Sequence, residues 1–320
     1  MTFGVFKSWT NGLKRLGSIR NAAQDQLNNS AVTLTKYIND EKLSPFDRPI
    51  PQRQPPIDKW ESRFVRSPIS QRAMGHAWTF EFDYIKHQKF DLLSAKYAFD
   101  YGSLFLMTSV YQIHLTTIRV ADAKDFTLSF HGIRYVALGF LLGQERQALS
   151  LLKMYLHAYN KNWIYYKEYP IYCLTINILA DHFQLPRVYI PEKTNNKAFV
   201  DEFLQHWQTP DVEILNKLLL QLCDLHTHKI KTNTFKIRFL HEFDDKIFGY
   251  FAFEYFLIRK LRAEQGLEIP EIEHPLIPLD FNIDTVVDSN EHEPLYLQVL
   301  AKMQSQGFDV EKAVNQTLGQ

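Results

Sequence analysis

The residues between positions 226 and 245 carry the side-chain types that bind a catalytic metal. His226 and His228 lie two residues apart in DLHTHK, and Glu242 and Asp245 follow. Imidazole nitrogens and carboxylate oxygens of this kind could hold a divalent metal for hydrolysis. Neither the HExxH pattern nor a histidine pair four residues apart occurs among them, however. A metal-dependent hydrolase is therefore kept as a hypothesis, and the favoured interpretation is a solvated helix end followed by a loop.

Other reactive side chains lack a catalytic arrangement. Asp181 and His182 are adjacent in ILADHF, and adjacent residues of a helix point about 100° apart, so they do not form a dyad. Cys173 and Cys223 have no close cysteine partner and are predicted to be core residues. The chain has no GxSxG, P-loop or GxGxxG pattern. We predict that the protein is not an enzyme and uses no cofactor or metal.

One carboxylate, Glu254, lies inside the aromatic run FGYFAFEYF. A helix over residues 247–264 would be apolar around almost its whole circumference, which predicts that Glu254 is buried. Burying an unpaired carboxylate costs several kcal/mol, so Glu254 should have a partner. An Arg or Lys of a neighbouring helix, a Tyr hydroxyl or a helix N-terminus are the expected candidates.

The elements that must position these residues are predicted to be helices. Only 12 glycines occur in 320 residues, and apolar residues recur three and four apart. The fold class is predicted to be all-α, an irregular bundle or stack of antiparallel helix pairs with little or no β-structure. KIKTNTFKIRFL, at 229–240, is the one segment expected to be extended, and Asp125 is expected to cap a helix. The predicted helices span 68–86, 88–119, 124–142, 144–160, 168–184, 196–207, 210–228, 247–264 and 293–305.

Two regions are predicted along the chain. Residues 1–57 form a basic N-terminal arm, which ends in the proline-rich linker SPFDRPIPQRQPPID, and residues 58–320 form the helical domain. The sequence shows no signal peptide and no transmembrane segment, so a cytoplasmic location is expected.

Charge is unevenly distributed although the formal net charge is zero. Residues 1–100 contain 15 Lys and Arg against 10 Asp and Glu, whereas residues 265–320 contain 2 Lys against 10 acids. The acidic C-terminal part disfavours nucleic acid and suits a basic protein partner.

The segment Gly249–Glu254, GYFAFE, resembles the G-Y-W-A-F-E signature of helical immunity proteins that protect bacteria from polymorphic or type VI secreted toxins. HPLIPLDF, about twenty residues later, is similar to the closing element of that family. In this resemblance, Gly249, Tyr250 and Glu254 are interpreted as structural residues.

The resemblance implies a protein that binds and occludes a cognate toxin, of the nuclease type in many members. A basic toxin would be bound by acidic side chains, and the oligomeric state is left open. The alternative hypothesis is a helical scaffold or adaptor that binds a peptide or protein partner in an aromatic groove. The predicted partner-binding residues are Glu242, Asp244, Asp245, Glu268, Glu271, Glu273, Asp284 and Asp288.

Overall fold

A computed structural model describes residues 4, 16–40, 62–119, 128–165, 167–229, 243, 248–277 and 290–319. Within these ranges the chain forms eleven α-helices and one pair of two-residue strands, which confirms the predicted all-α class. In chain order the helices are α1 (Leu16–Ile38), α2 (Ser62–His87), α3 (Leu92–Arg119), α4 (Ile133–Leu141), α5 (Glu145–Asn160), α6 (Pro170–His182), α7 (Lys197–His206), α8 (Val212–His228), α9 (Phe253–Glu264), α10 (Pro294–Ser305) and α11 (Val310–Leu318).

Neighbouring helices pack in pairs around one core. α1 lies along α2 and α2 along α3, while α4 contacts α3, α5 and α9. Four residues join α2 to α3, so these two helices run in opposite directions. The C-terminal pair closes the structure, with α10 on α1 and α11 on α3 and α5. Most of the buried apolar side chains, from every one of these helices, form one continuous cluster.

α1 belongs to the predicted N-terminal arm and packs on the rest of the protein. Its residues Ala23, Leu34 and Tyr37 are buried. The predicted boundary at residue 57 and the proline-rich linker lie outside the described residues. Among the helices of the described ranges, none combines the length and the apolar character needed to cross a membrane.

The segment before α4 differs from its prediction. Strand β1 (Leu128–Ser129) pairs in parallel with β2 (Ile164–Tyr165), and a short 3-10 helix at Phe130–Gly132 follows. A single helix from 124 to 142 is therefore wrong for residues 128–132. Pairing with β2 holds the backbone extended there, and Phe130 is then fully buried among tyrosine rings of α5 and α6. Asp125 lies outside the described residues.

The helix predicted over 247–264 is also shorter than expected. α9 begins only at Phe253, and residues 248–251 form a turn and bends. Phe248 has a φ of 56°, in the left-handed region that a continuing helix cannot contain. The predicted extended segment at 229–240 lies outside the described residues, apart from Lys229.

Candidate functional site

The signature segment Gly249–Glu254 is a buried junction between α2, α8 and α9. The carbonyl of Gly249 lies 3.1 Å from Nε2 of His226 on α8. The amide of Tyr250 donates a hydrogen bond of 2.9 Å to Oε1 of the buried Glu81 on α2. These backbone groups bond to other helices instead of to their own helix, which explains why α9 starts after the segment.

Glu254 is 1% exposed, and its Oε1 lies 2.6 Å from Nδ1 of His226. The carbonyl of Gly249 can only accept, so Nε2 of His226 carries a hydrogen. Nδ1 and the carboxyl group then share one further proton, and the pair is neutral overall wherever that proton lies. Glu254 also sits in the first turn of α9, where the helix dipole favours a carboxylate. The side chain that pairs with Glu254 is thus a histidine, which the sequence-based candidates did not include.

The predicted metal set does not assemble in the described residues. His226 is fully buried and stacks on Phe243 with ring centroids 4.3 Å apart, so a solvated helix end is wrong for this residue. His228 points elsewhere, with Nε2 2.8 Å from the carbonyl of Gly4. Within the described ranges, no group of three or more His, Cys, Asp or Glu residues could hold a metal ion. Glu242 and Asp245 lie outside those ranges.

Cys223 lies one turn before His226 on α8, but these residues and Glu254 do not form a catalytic triad. Nε2 of His226 faces the Gly249 carbonyl and is not free to accept a proton from a thiol. Burial raises the pKa of the Cys223 thiol well above its usual value, and the charge of Glu254 adds to this effect. A buried neutral thiol is a poor nucleophile. The arrangement is suited to holding helices together.

Asp181 and His182 have separate partners. Asp181 accepts hydrogen bonds from Arg187 and, at 3.0 Å, from Nε1 of Trp207. Nε2 of His182 instead lies 3.3 Å from the carboxylate of Glu264. Asp181 and His182 therefore contact different residues and do not pair with each other. The other cysteine, Cys173, is buried, and its thiol donates a hydrogen bond of 2.9 Å to the carbonyl of Lys167.

The aromatic run around Glu254 is part of the core. Phe251 packs against Phe80 and Tyr84 of α2, with ring centroids 4.8 and 5.0 Å apart, and stacks on Phe256 at 5.2 Å. All the rings from Phe248 to Phe256 are buried. This run consequently does not line the exposed aromatic groove that the alternative hypothesis needs.

Three predicted partner-binding residues lie on an exposed edge, here called the acidic strip: Glu268, Glu271 and Glu273. They belong to residues 267–277, a non-helical segment that follows α9. Their exposed side chains alternate with the buried residues Pro270 and Ile272, so the carboxylates face solvent while the apolar side chains face the core. The other predicted partner-binding residues lie outside the described ranges; they are Glu242, Asp244, Asp245, Asp284 and Asp288.

The acidic strip is held at both of its ends. The buried guanidinium of Arg262 donates to the carbonyl of Glu268 at 2.6 and 3.1 Å, and to the carbonyl of Trp207 at the end of α7 at 2.6 Å. Further along, the hydroxyl of Tyr84 donates to the carbonyl of Leu276 at 2.8 Å. A segment fixed in this way loses less conformational entropy when it binds a partner.

Sequence reasoning missed a second polar cluster, here called the C-terminal charge cluster, in which five residues are buried and the last two are partly buried. Its members are Arg72, His76, Lys96, Asp100, Tyr101, His292 and Glu293. Arg72 on α2 binds the carboxylate of Glu293 through Nε, at 2.6 Å, and through a terminal nitrogen. The hydroxyl of Tyr101 donates to the same carboxylate at 2.7 Å. Arg72 also donates to the carbonyl of Leu27 on α1, at 2.9 Å. The carboxylate of Glu293 thereby joins the start of α10 to α2 and α3 directly, and to α1 through Arg72.

The other half of the C-terminal charge cluster surrounds Asp100 on α3. Nζ of Lys96 lies 2.5 Å from one oxygen of Asp100, and Nδ1 of His292 lies 2.9 Å from the other. Lys96 and Asp100 are 1% and 0% exposed, respectively. Lys96 and Asp100 are four residues apart on a helix, and this spacing in the sequence predicts that the two side chains can pair. The link from Asp100 to His292 spans 192 residues and has no local signal.

Comparison of the chain with models of protein families, with curated proteins and with solved structures gives no match in any of the three.

Proposed function

We propose that the chain is an immunity protein that binds a cognate secreted toxin and blocks it by occlusion. The observation that carries this proposal is the acidic strip, whose three carboxylates are exposed on a segment that is fixed at both ends. The resemblance of GYFAFE to the immunity signature supplies the class of partner.

The structure supports binding through rigidity and charge. Arg262 lies on α9, and α9 is anchored to α8 through the Glu254–His226 contact. The signature residues therefore support the helix that fixes the strip, without contacting the partner themselves. Fixed carboxylates on one edge accelerate association with a basic surface and determine the orientation of binding.

A growth assay tests the proposal directly. Cells expressing the product of the neighbouring gene as a toxin should stop growing, and co-expression of this chain should restore growth. Purified toxin should bind the chain with an affinity that weakens as salt is added, because the contact is electrostatic. Glu271→Lys should reduce the affinity by about tenfold or more, since it reverses a charge at the centre of the strip.

Glu202→Lys is the matched control because it makes the same charge change at an exposed residue of α7. It should bind the toxin like the wild type. If co-expression fails to restore growth and the purified proteins do not associate, the proposed function is wrong. If the proteins associate but both variants bind equally, the toxin binds a surface other than the acidic strip.

A further inference from the structure

We propose that residues 290–293 are an acid-released latch: at neutral pH they hold the C-terminal helix pair α10–α11 on the body, and protonation of His76 loosens them. This inference is independent of the proposed toxin binding.

The C-terminal charge cluster sets the position of α10. Glu293 is the residue immediately before the first residue of α10, Pro294, and it is bound by Arg72 and Tyr101. His292 beside it is bound to Asp100. At the other end of α10, Lys302 pairs with Asp40, whose side chain is 74% exposed, and exposed pairs contribute little to stability. Two neutral hydrogen bonds also attach the pair, from Tyr37 to Gln306 and from Tyr111 to Gln316. Within the described residues, its ionic contacts to buried side chains of the body are those of His292 and Glu293.

His76 on α2 lies next to Glu293 and is buried. Its Nε2 is 3.6 Å from Oε2 of Glu293, a distance too long for a hydrogen bond. Its ring stacks on Tyr101 and meets the edge of Tyr97, with centroids 6.0 and 5.3 Å apart. Release of residues 290–293 removes Glu293 from this site and gives the imidazole access to water.

His76 carries an imidazole, which titrates near neutral pH when it is in water. Burial lowers the pKa of His76 below its usual 6.5; Arg72 lowers it further, while Glu293 and Asp91 oppose the shift. Burial by itself would raise the pKa of Glu293, but His76, Arg72 and Tyr101 together hold it well below the usual range. Glu293 therefore stays ionised when the pH falls from 7.5 to about 5.5.

The direction of the effect follows from proton linkage. The closed state keeps His76 neutral, whereas a solvated His76 takes up a proton below about pH 6.5. Acidification therefore favours the open state. The other charged and titratable groups at residues 290–293 come from α3, α10 and the segment itself: Lys96, Tyr97, Asp100, Tyr296, Glu291 and His292.

Hydrogen exchange measured by mass spectrometry on the full chain at about pH 7.5 and about pH 5.5 tests the latch. After correction for intrinsic exchange rates, protection of α10 should fall at the lower pH by up to about tenfold per pH unit, the limit for uptake of one proton. α6, which is buried along most of its length, is the internal reference and should keep its protection. His76→Gln should remove the pH response, because glutamine does not titrate in this range.

His87→Gln is the matched control, since His87 lies on the same helix with its side chain 56% exposed. It should retain the wild-type response. Glu293→Gln removes the anion bound by Arg72 and should leave α10 poorly protected at both pH values, which gives a second test if His76→Gln fails to fold. Three outcomes would each overturn the proposal. Protection could fall equally in α6 and α10, protection of α10 could stay unchanged between the two pH values, or the pH response could persist in His76→Gln.

Discussion

The contact between His226 and Glu254 joins α8 to α9 and to the segment before α9. His226 reaches Glu254 with one ring nitrogen and the carbonyl of Gly249 with the other. Removing the carboxylate leaves a buried imidazole whose Nδ1 has lost its partner. A buried polar group without a partner costs more than the lost hydrogen bond contributes, because the group is also kept from water.

We expect Glu254→Ala to lower the free energy of unfolding by roughly 2 to 4 kcal/mol. Glu254→Gln should cost less, because its amide can donate to Nδ1 of a neutral His226 and keep the contact. Urea denaturation monitored by circular dichroism measures both values. Equal stability of the wild type and Glu254→Ala would show that the contact does not hold the junction, and loss of partner binding at unchanged stability would place Glu254 in the interface.

Close packing between helices depends on a glycine in α4. A Cβ atom on Gly139 would lie 2.3 Å from the ring of Phe99 on α3 and 2.9 Å from the Cβ of Ala148 on α5. Both distances are well below van der Waals contact, and both neighbours are fully buried. The absence of a side chain at this position is what allows α4 to fit between α3 and α5.

Gly139→Ala should therefore destabilise the protein by about 1 to 3 kcal/mol, since the core must shift to admit one methyl group. Gly17→Ala is the matched control: Gly17 lies in α1 with nothing within 4 Å of its would-be Cβ. There alanine should leave stability unchanged or raise it by up to about 1 kcal/mol through its higher helix propensity. Thermal unfolding of the two variants side by side measures the difference, and equal melting temperatures would contradict the packing argument.

At the scale of the whole molecule, buried histidines couple stability to pH. Burial lowers the pKa of His76 on α2 and of His274 after α9; Asp224 partly opposes the shift at His274. The folded protein thus binds fewer protons at these sites than the unfolded chain does below about pH 6.5. Their contribution to stability is fully present above that pH and is lost as the pH falls through it.

We expect the urea midpoint to fall between about pH 7.5 and about pH 5.5, because the unfolded state takes up protons that the folded state excludes. The double substitution His76→Gln and His274→Gln should flatten this dependence, and His87→Gln should not. A midpoint that stays constant or rises on acidification would show that other groups dominate the linkage.

The amino-acid sequence by itself determined the class of fold and much of the helix map. Apolar spacing predicted helices at 144–160 and 210–228, where the structure has α5 (Glu145–Asn160) and α8 (Val212–His228). These elements follow from local periodicity, because each helix buries one face along its length. The sequence also showed that a carboxylate surrounded by aromatic residues should be buried. Glu254 is 1% exposed.

Only the tertiary structure decided which residues meet. The first residue of α9 is Phe253 and not residue 247, because the backbone groups of Gly249 and Tyr250 bond to α8 and α2. The helix α11 was not predicted from the sequence. His226 became the partner of Glu254 across 28 residues, and Arg72 that of Glu293 across 221. Local spacing cannot specify such pairs, because a hydrogen bond between distant residues depends on how the packed helices place both groups at once.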